Sequence, residues 1–249
     1  MTISAQLANQ RPHARRLLLA CLAAAVGLAA GCGSKPSPLT SAVKERAMGG
    51  GDAAKKMNDG MKLLMEWTQH PDTGFHFSYK AQKNINPNFP HQEKAKPEVA
   101  AVEMEADVTP EEISVSETQR GKKKNTSAKK SDALGWPLAQ LQVTGTLLDP
   151  SLAMAFGSSV ARSAGSEDVG GRPTDKYEFD TTTASASARA GFEMASAMLG
   201  GKIKFTSVQG TACVDKATGR LVKFNIDTEL SDQAGNSWKE HQEGLVTAK

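Results

Sequence analysis

The sequence predicts an α+β domain in which an antiparallel sheet packs against several helices. Three observations predict it. Apolar and polar residues alternate one for one through segments of the middle and C-terminal thirds, as half-buried strands require. Turn-forming clusters of Gly, Pro, Asp and Asn separate those segments. Apolar residues at helical spacing occur before the first strand and again between strands.

The N-terminus reads first as a targeting segment. Arg11, Arg15 and Arg16 precede an apolar run from Leu17 to Ala30, and small residues lead to Cys32. A basic start, a short apolar middle and small residues before the cut describe a secretory signal peptide over residues 1–31. The apolar run has 14 residues, whereas a spanning helix needs about 20. Residues 32–51, rich in Gly, Ser, Pro and Ala, read as a flexible tether, leaving 52–249 as a single domain.

Asp52 can cap a helix running to about Gln69, in which Met57, Met61 and Leu64 recur at helical spacing and Gly60 is a weak point. His70-Pro71-Asp72-Thr73-Gly74 stops it. In the strand that follows, Phe75, Phe77 and Tyr79 share one face and His76, Ser78 and Lys80 the other. Val102, Met104, Ala106 and Val108 oppose Glu103, Glu105 and Asp107, and Ile113 and Val115 continue the pattern after Thr109-Pro110-Glu111. The lysine-rich segment Gly121 to Ser131 reads as a mobile loop, and its five lysines could touch anionic headgroups. Trp136, Gln140, Val143 and Leu147 fit one helical face. Leu152, Ala155, Phe156 and Val160 fit a short second helix that Asp149 can cap and Pro150 can start. Gly170-Gly171-Arg172-Pro173 is a turn, and Lys176 to Thr181 a strand with Tyr177 and Phe179 inward.

Ala184 to Leu199 reads as a helix whose stripe includes Ala188, Phe192, Ala195 and Leu199, expected to cover the concave face of the sheet. Lys202 to Asp215 is a strand with an irregularity near Gly210, and Lys216-Ala217-Thr218-Gly219 a hairpin turn. Val222, Phe224, Ile226, Thr228 and Leu230 alternate with Lys223, Asn225, Asp227 and Glu229, and Ser237 to Thr247 is a last strand carrying Trp238.

Composition narrows the function. Removing residues 1–31 takes three Arg and no acid, so the 30 basic residues fall to 27, equal to the 27 acidic ones. A near-neutral chain gives no argument for nucleic acid. Of three cysteines, Cys21 leaves with the signal and Cys32 stands at the cut, so Cys213 remains alone in an apolar strand and is expected to be a buried, inert thiol. His70, Asp72 and His76 fall short of the three or four converging ligands a metal needs, and no metal or other cofactor is expected. Gly-x-Ser-x-Gly and phosphate loops are absent, and no enzymatic activity is expected.

Two resemblances add to this. Leu28-Ala29-Ala30-Gly31-Cys32 resembles the lipobox of bacterial lipoproteins, which implies that Cys32 is acylated and anchors the chain to a membrane. The absence of Asp after it (Gly33) then implies the outer membrane, facing the periplasm, rather than the inner one. The segment from Gly210 to Phe224, with Val214-Asp215, Thr218-Gly219 and Leu221-Val222-Lys223, resembles the hairpin of envelope lipid carriers, the Lol-type lipoprotein carriers and related lipidated glycolipid carriers. It implies a curved sheet forming an unclosed half-barrel, with a lipid or an acylated protein's chains held between sheet and helices. Phe75, Phe77, Tyr79, Val102, Met104, Phe192, Val222, Phe224 and Ile226 are the residues that would line such a site. In place of the usual aromatic before the turn stands Cys213. A second reading stays open, in which the same fold has a filled core and serves as an anchored structural or protein-interaction lipoprotein. Oligomeric state is not legible.

Overall fold

The computed structural model describes residues 51–86, 89, 95–149, 151–152, 155–156, 160–180 and 202–249. Every element described here belongs to the compact unit of residues 43–249. Its order is helix α1 (Gly51–Gln69), strands β1 (Phe75–Asn84), β2 (Val99–Val108), β3 (Glu112–Gln119) and β4 (Lys122–Lys129), helix α2 (Gly135–Leu147), then β5 (Val160–Val169), β6 (Arg172–Asp180), β7 (Ile203–Asp215), β8 (Leu221–Asp232) and β9 (Ser237–Ala248). Cys32, and the expected helix from Ala184 to Leu199 with Phe192, lie outside the described residues.

The strands form one nine-stranded antiparallel sheet in the order β4-β3-β2-β1-β9-β8-β7-β6-β5. Two meanders are joined where β1 pairs with β9, from Phe75 opposite Ala248 to Gln82 opposite His241. The sheet is curved and unclosed, with β4 and β5 as its edges.

The turns follow local chemistry. Arg120-Gly121 and Gly170-Gly171 are two-residue hairpin turns with positive φ at both positions, the conformation whose twist suits a hairpin. After β7, the Asp215 carboxylate accepts from the backbone N–H of Ala217 and Thr218, and Gly219 takes φ 71°.

One face of the sheet is apolar and carries the helices. Helix α1 buries Met57, Gly60, Met61, Leu64, Trp67 and Thr68 and packs over β5 to β8. Gly60, the weak point of the helix, is what allows this approach: a Cβ there would lie 3.1 Å from the Gly219 carbonyl oxygen and from Val214 Cγ2. Helix α2 packs over β3 and β4 through Ala139, Val143, Thr144 and Leu147. Its threonines fit because Thr144 and Thr146 donate to the carbonyls of Gln140 and Gln142 four residues back. Gln140 turns instead to α1, where its amide donates to the carbonyls of Thr68 and Gln69.

Three sequence expectations are corrected. The lysine-rich segment is not a loop but strand β4, paired along its length with β3. Lysine is a poor strand former, yet at an edge it does little harm and blocks further pairing. Val160 belongs not to a helix but to β5, a strand absent from the sequence reading. Arg172 and Pro173 leave the turn and open β6.

Candidate functional site

The register lines up the expected site residues in rows across the apolar face. One row runs Met104, Tyr79, Gly244, Phe224, Ala212 and Tyr177 from β2 to β6, and the next runs Val102, Ala81, Gln242, Ile226, Gly210 and Phe179. Small residues stand beside the rings in both rows, Gly244 and Ala212 flanking Phe224 and Gly210 beside Phe179. A Cβ on Gly244 would fall 2.2 Å from Phe224 Cε1, and one on Gly210 would fall 2.9 Å from Phe179 Cζ. Phe156 completes the layer, its ring 5.9 Å from that of Phe179 and 6.3 Å from that of Phe224. Phe75 packs on Trp67 of α1 at 4.4 Å.

Of the nine expected lining residues, Phe75, Phe77, Tyr79, Val102, Met104, Phe224 and Ile226 share this face, each no more than 5% exposed. Phe192 lies outside the described residues. Val222 is a correction. Cys213 pairs with Lys223 and Val214 with Leu221, so Val222 is the extra residue of a bulge. It turns away from Phe224 and is buried in a small cluster with Val169 and Cys213. The Cys213 thiol is buried as expected, and burial, then the charge of Glu167, pushes its pKa up, which keeps it protonated.

A polar group set into the apolar face escaped the sequence reading. Tyr79 donates from Oη to Gln242 Oε1 at 3.1 Å, and Gln242 donates from Nε2 to Asp149 Oδ1 at 3.2 Å, where Lys83 Nζ lies 3.8 Å from Oδ2. Glu240 accepts from the Asn84 N–H and from Trp238 Nε1–H. Burial raises its carboxyl above the ordinary range, and burial likewise raises the Tyr79 phenol, helped by the charges of Asp149 and Glu240. The Thr228 hydroxyl, opposite Glu240, is buried and has no partner among the described residues. The signal was present: with Trp238 inward, strand alternation carries Glu240 and Gln242 inward too.

The opposite face is polar. His76 sits between Glu105 (Nε2, 2.9 Å) and Asp107 (Nδ1, 2.8 Å), so it pairs with β2 rather than with His70 and Asp72. His241 sits between Asp227 (Nδ1, 2.7 Å) and Glu243 (Nε2, 3.0 Å). A groove of about 490 Å³ on this face is lined by Arg162, Glu178, Asp180, Gln209, Thr211 and Asp227. Among the described residues, no group of three His, Cys, Asp or Glu is placed to hold a metal, and no helix is long and apolar enough to cross a membrane.

No protein-family model and no curated protein sequence matches the chain. It is similar in structure to the lipoprotein LppX of Mycobacterium tuberculosis, at 10% identity over 77% of this chain and 93% of that one, with a TM-score of 0.36. It is similar to LprF from Mycobacterium bovis at 12% identity over 79% and 94%, with a TM-score of 0.32. A domain from Vibrio parahaemolyticus, described as that of an outer membrane lipoprotein-sorting protein, is similar at 6% identity over 78% and 93%, with a TM-score of 0.18.

Proposed function

We propose that this is a non-catalytic lipoprotein of the cell envelope, anchored through an acylated Cys32, whose sheet and helices shelter a hydrophobic ligand such as a lipid or acyl chain. The observation that carries the reading is the layout of the apolar face. Helix α1 rests on β5 to β8 and α2 on β3 and β4, so the central strands β1, β2 and β9 lie under the seam between them. Phe77, Tyr79 and Met104 are buried on these strands, where Met104 takes a contact from Thr146 of α2 and Tyr79 is linked through Gln242 to Asp149. Across it the described hydrogen bonds come from one side chain, Gln140. Met57, Met61 and Met104 can change shape as a ligand enters. Gly33 after the anchor supports delivery to the outer membrane, facing the periplasm.

One observation favours the second reading, an anchored structural or interaction protein: the seven lining residues on this face are packed to 5% exposure or less. Ligand entry therefore requires α1 and α2 to part. Native mass spectrometry of residues 43–249, purified without detergent, decides between the two. A bound lipid mass that organic extraction removes is the expected result. A folded protein carrying no lipid, and taking up none from vesicles, would replace ligand binding with the interaction reading.

A further inference from the structure

Helix α2 is an unusual surface helix. Its sequence, Gly-Trp-Pro-Leu-Ala-Gln-Leu-Gln-Val-Thr-Gly-Thr-Leu, contains no charged residue. One side buries Ala139, Val143 and Leu147 against the sheet. The other side should be polar in a helix that faces water. Instead Leu134, at the N-cap, is 77% exposed, Leu138 60% and Leu141 36%. The spacing of four and then three residues puts these leucines in one outward stripe.

Strand β4, which leads into this helix and packs against it, carries Lys122, Lys123, Lys124 and Lys129, followed by Lys130, all exposed. Lys122 and Lys124 share the strand face of Ala128, the face on which α2 lies. Among the described residues none of the five makes an ion pair, whereas Lys176 and Lys223 pair with Glu167, Lys239 with Glu229 and Lys249 with Asp107. The acids nearest in register are Glu117 opposite Lys124 and Glu112 opposite Lys129, and Glu112 accepts from Ser127. Asp132 is engaged at the start of α2, accepting from the N–H groups of Leu134 and Gly135. Edge protection accounts for lysines on β4. It does not account for leucines on a chargeless helix beside them.

We propose that α2 and β4 form a membrane-docking face, with Leu134, Leu138 and Leu141 entering the headgroup boundary and the lysines resting on anionic phosphates. Leucines that project from a convex helix, flanked by mobile point charges, suit a fluid surface that deforms around them and presents negative charge in any register. The face is distinct from Cys32. It would hold the domain flat on the bilayer, with the seam between α1 and α2 beside the lipid.

The test uses residues 43–249, the compact unit holding the whole described core, which lacks the signal segment and Cys32. It is sedimented with vesicles of phosphatidylcholine mixed with phosphatidylglycerol, and with phosphatidylcholine alone. Binding to the mixed vesicles that weakens with salt is expected. Replacing Lys122 and Lys124 by Ser should lower partitioning by about fivefold each. Leu134→Ser with Leu138→Ser should lower it by at least about tenfold. Both positions are exposed, so circular dichroism should be unchanged. In the full chain, hydrogen exchange should show protection of residues 122–141 when mixed vesicles are added. Equal binding by the leucine variant, binding to phosphatidylcholine alone that ignores salt, or no protection of 122–141 would each overturn the proposal. So would a leucine-dependent dimer that ignores vesicles.

Discussion

Phe224 and Gly244 offer a direct test of how the apolar face is built. The Phe224 ring is 2% exposed, touches Phe156 edge-on and lies over Gly244, with Ala212 on its other side in the row. Its immediate neighbours in the sheet are a glycine and an alanine, so little can fill the space it leaves. Phe224→Ala should therefore cost about 3–5 kcal/mol. Gly244→Ala alone should cost about 1–3 kcal/mol, because its methyl would sit 2.2 Å from Cε1 in the ring's place. In the Phe224→Ala background the methyl enters the vacated space, and Ala in a strand is favoured over Gly by about 0.5–1 kcal/mol. The second change should then stabilise, giving a coupling of about 2–3 kcal/mol. Urea unfolding followed by circular dichroism, with equal slopes for the four proteins, measures it. Asn225→Ala, on the polar face, is the control and should cost little. Additivity within about 0.5 kcal/mol would refute the stacking of ring over glycine.

Glu240 holds its proton more tightly in the folded chain because it is buried, so its contribution to stability is complete below the ordinary carboxyl range and is lost as pH rises through the raised value. Glu240→Gln keeps an oxygen for the Asn84 and Trp238 donors and should gain on wild type as pH rises, read as melting temperature against pH. For His241 burial opposes the charge, but hydrogen bonds to Glu243 and Asp227 outweigh it and raise the pKa. Stability from this bridge is complete below the ordinary imidazole range and lost as pH rises through the raised value, so His241→Gln should flatten that part of the same curve. Cys32→Ser should leave the chain unprocessed or move it to the soluble fraction, since the proposed acyl chains hold it at about 0.8 kcal/mol per buried CH₂; a processed mutant that fractionates with membranes like wild type would exclude the anchor.

The strands read correctly from alternation are ones with neighbours on both sides. β1, β2, β3, β7, β8 and β9 each bury one face, and their sequences record it. The two strands missed or misread, β4 and β5, are the two edges. An edge strand pairs on one side and buries less, so its pattern is thin: β4 buries only Ala128 fully, and β5 has a register shift between Ser163 and Ser166. The site shows the same division. Phe224 and Ile226 were placed by alternation, whereas Val222 was misplaced because a bulge adds one residue and reverses the face beyond it. Glu240 and Gln242 could have been placed from Trp238, two and four residues away on the same strand.

Sequence by itself determined what depends on local periodicity and composition: the signal-like start, the Cys32 position, the apolar face of each inner strand, most of the turns, and the burial of Cys213. Tertiary structure decided what depends on pairing between distant residues. Strand order and register put Gly244 under Phe224 and Gly210 under Phe179. Packing decided that α2 would bury Ala139 and Val143 and leave Leu134 and Leu138 outside. A chargeless helix with apolar residues on more than one side has no preferred inward side of its own; only the strands it meets choose one.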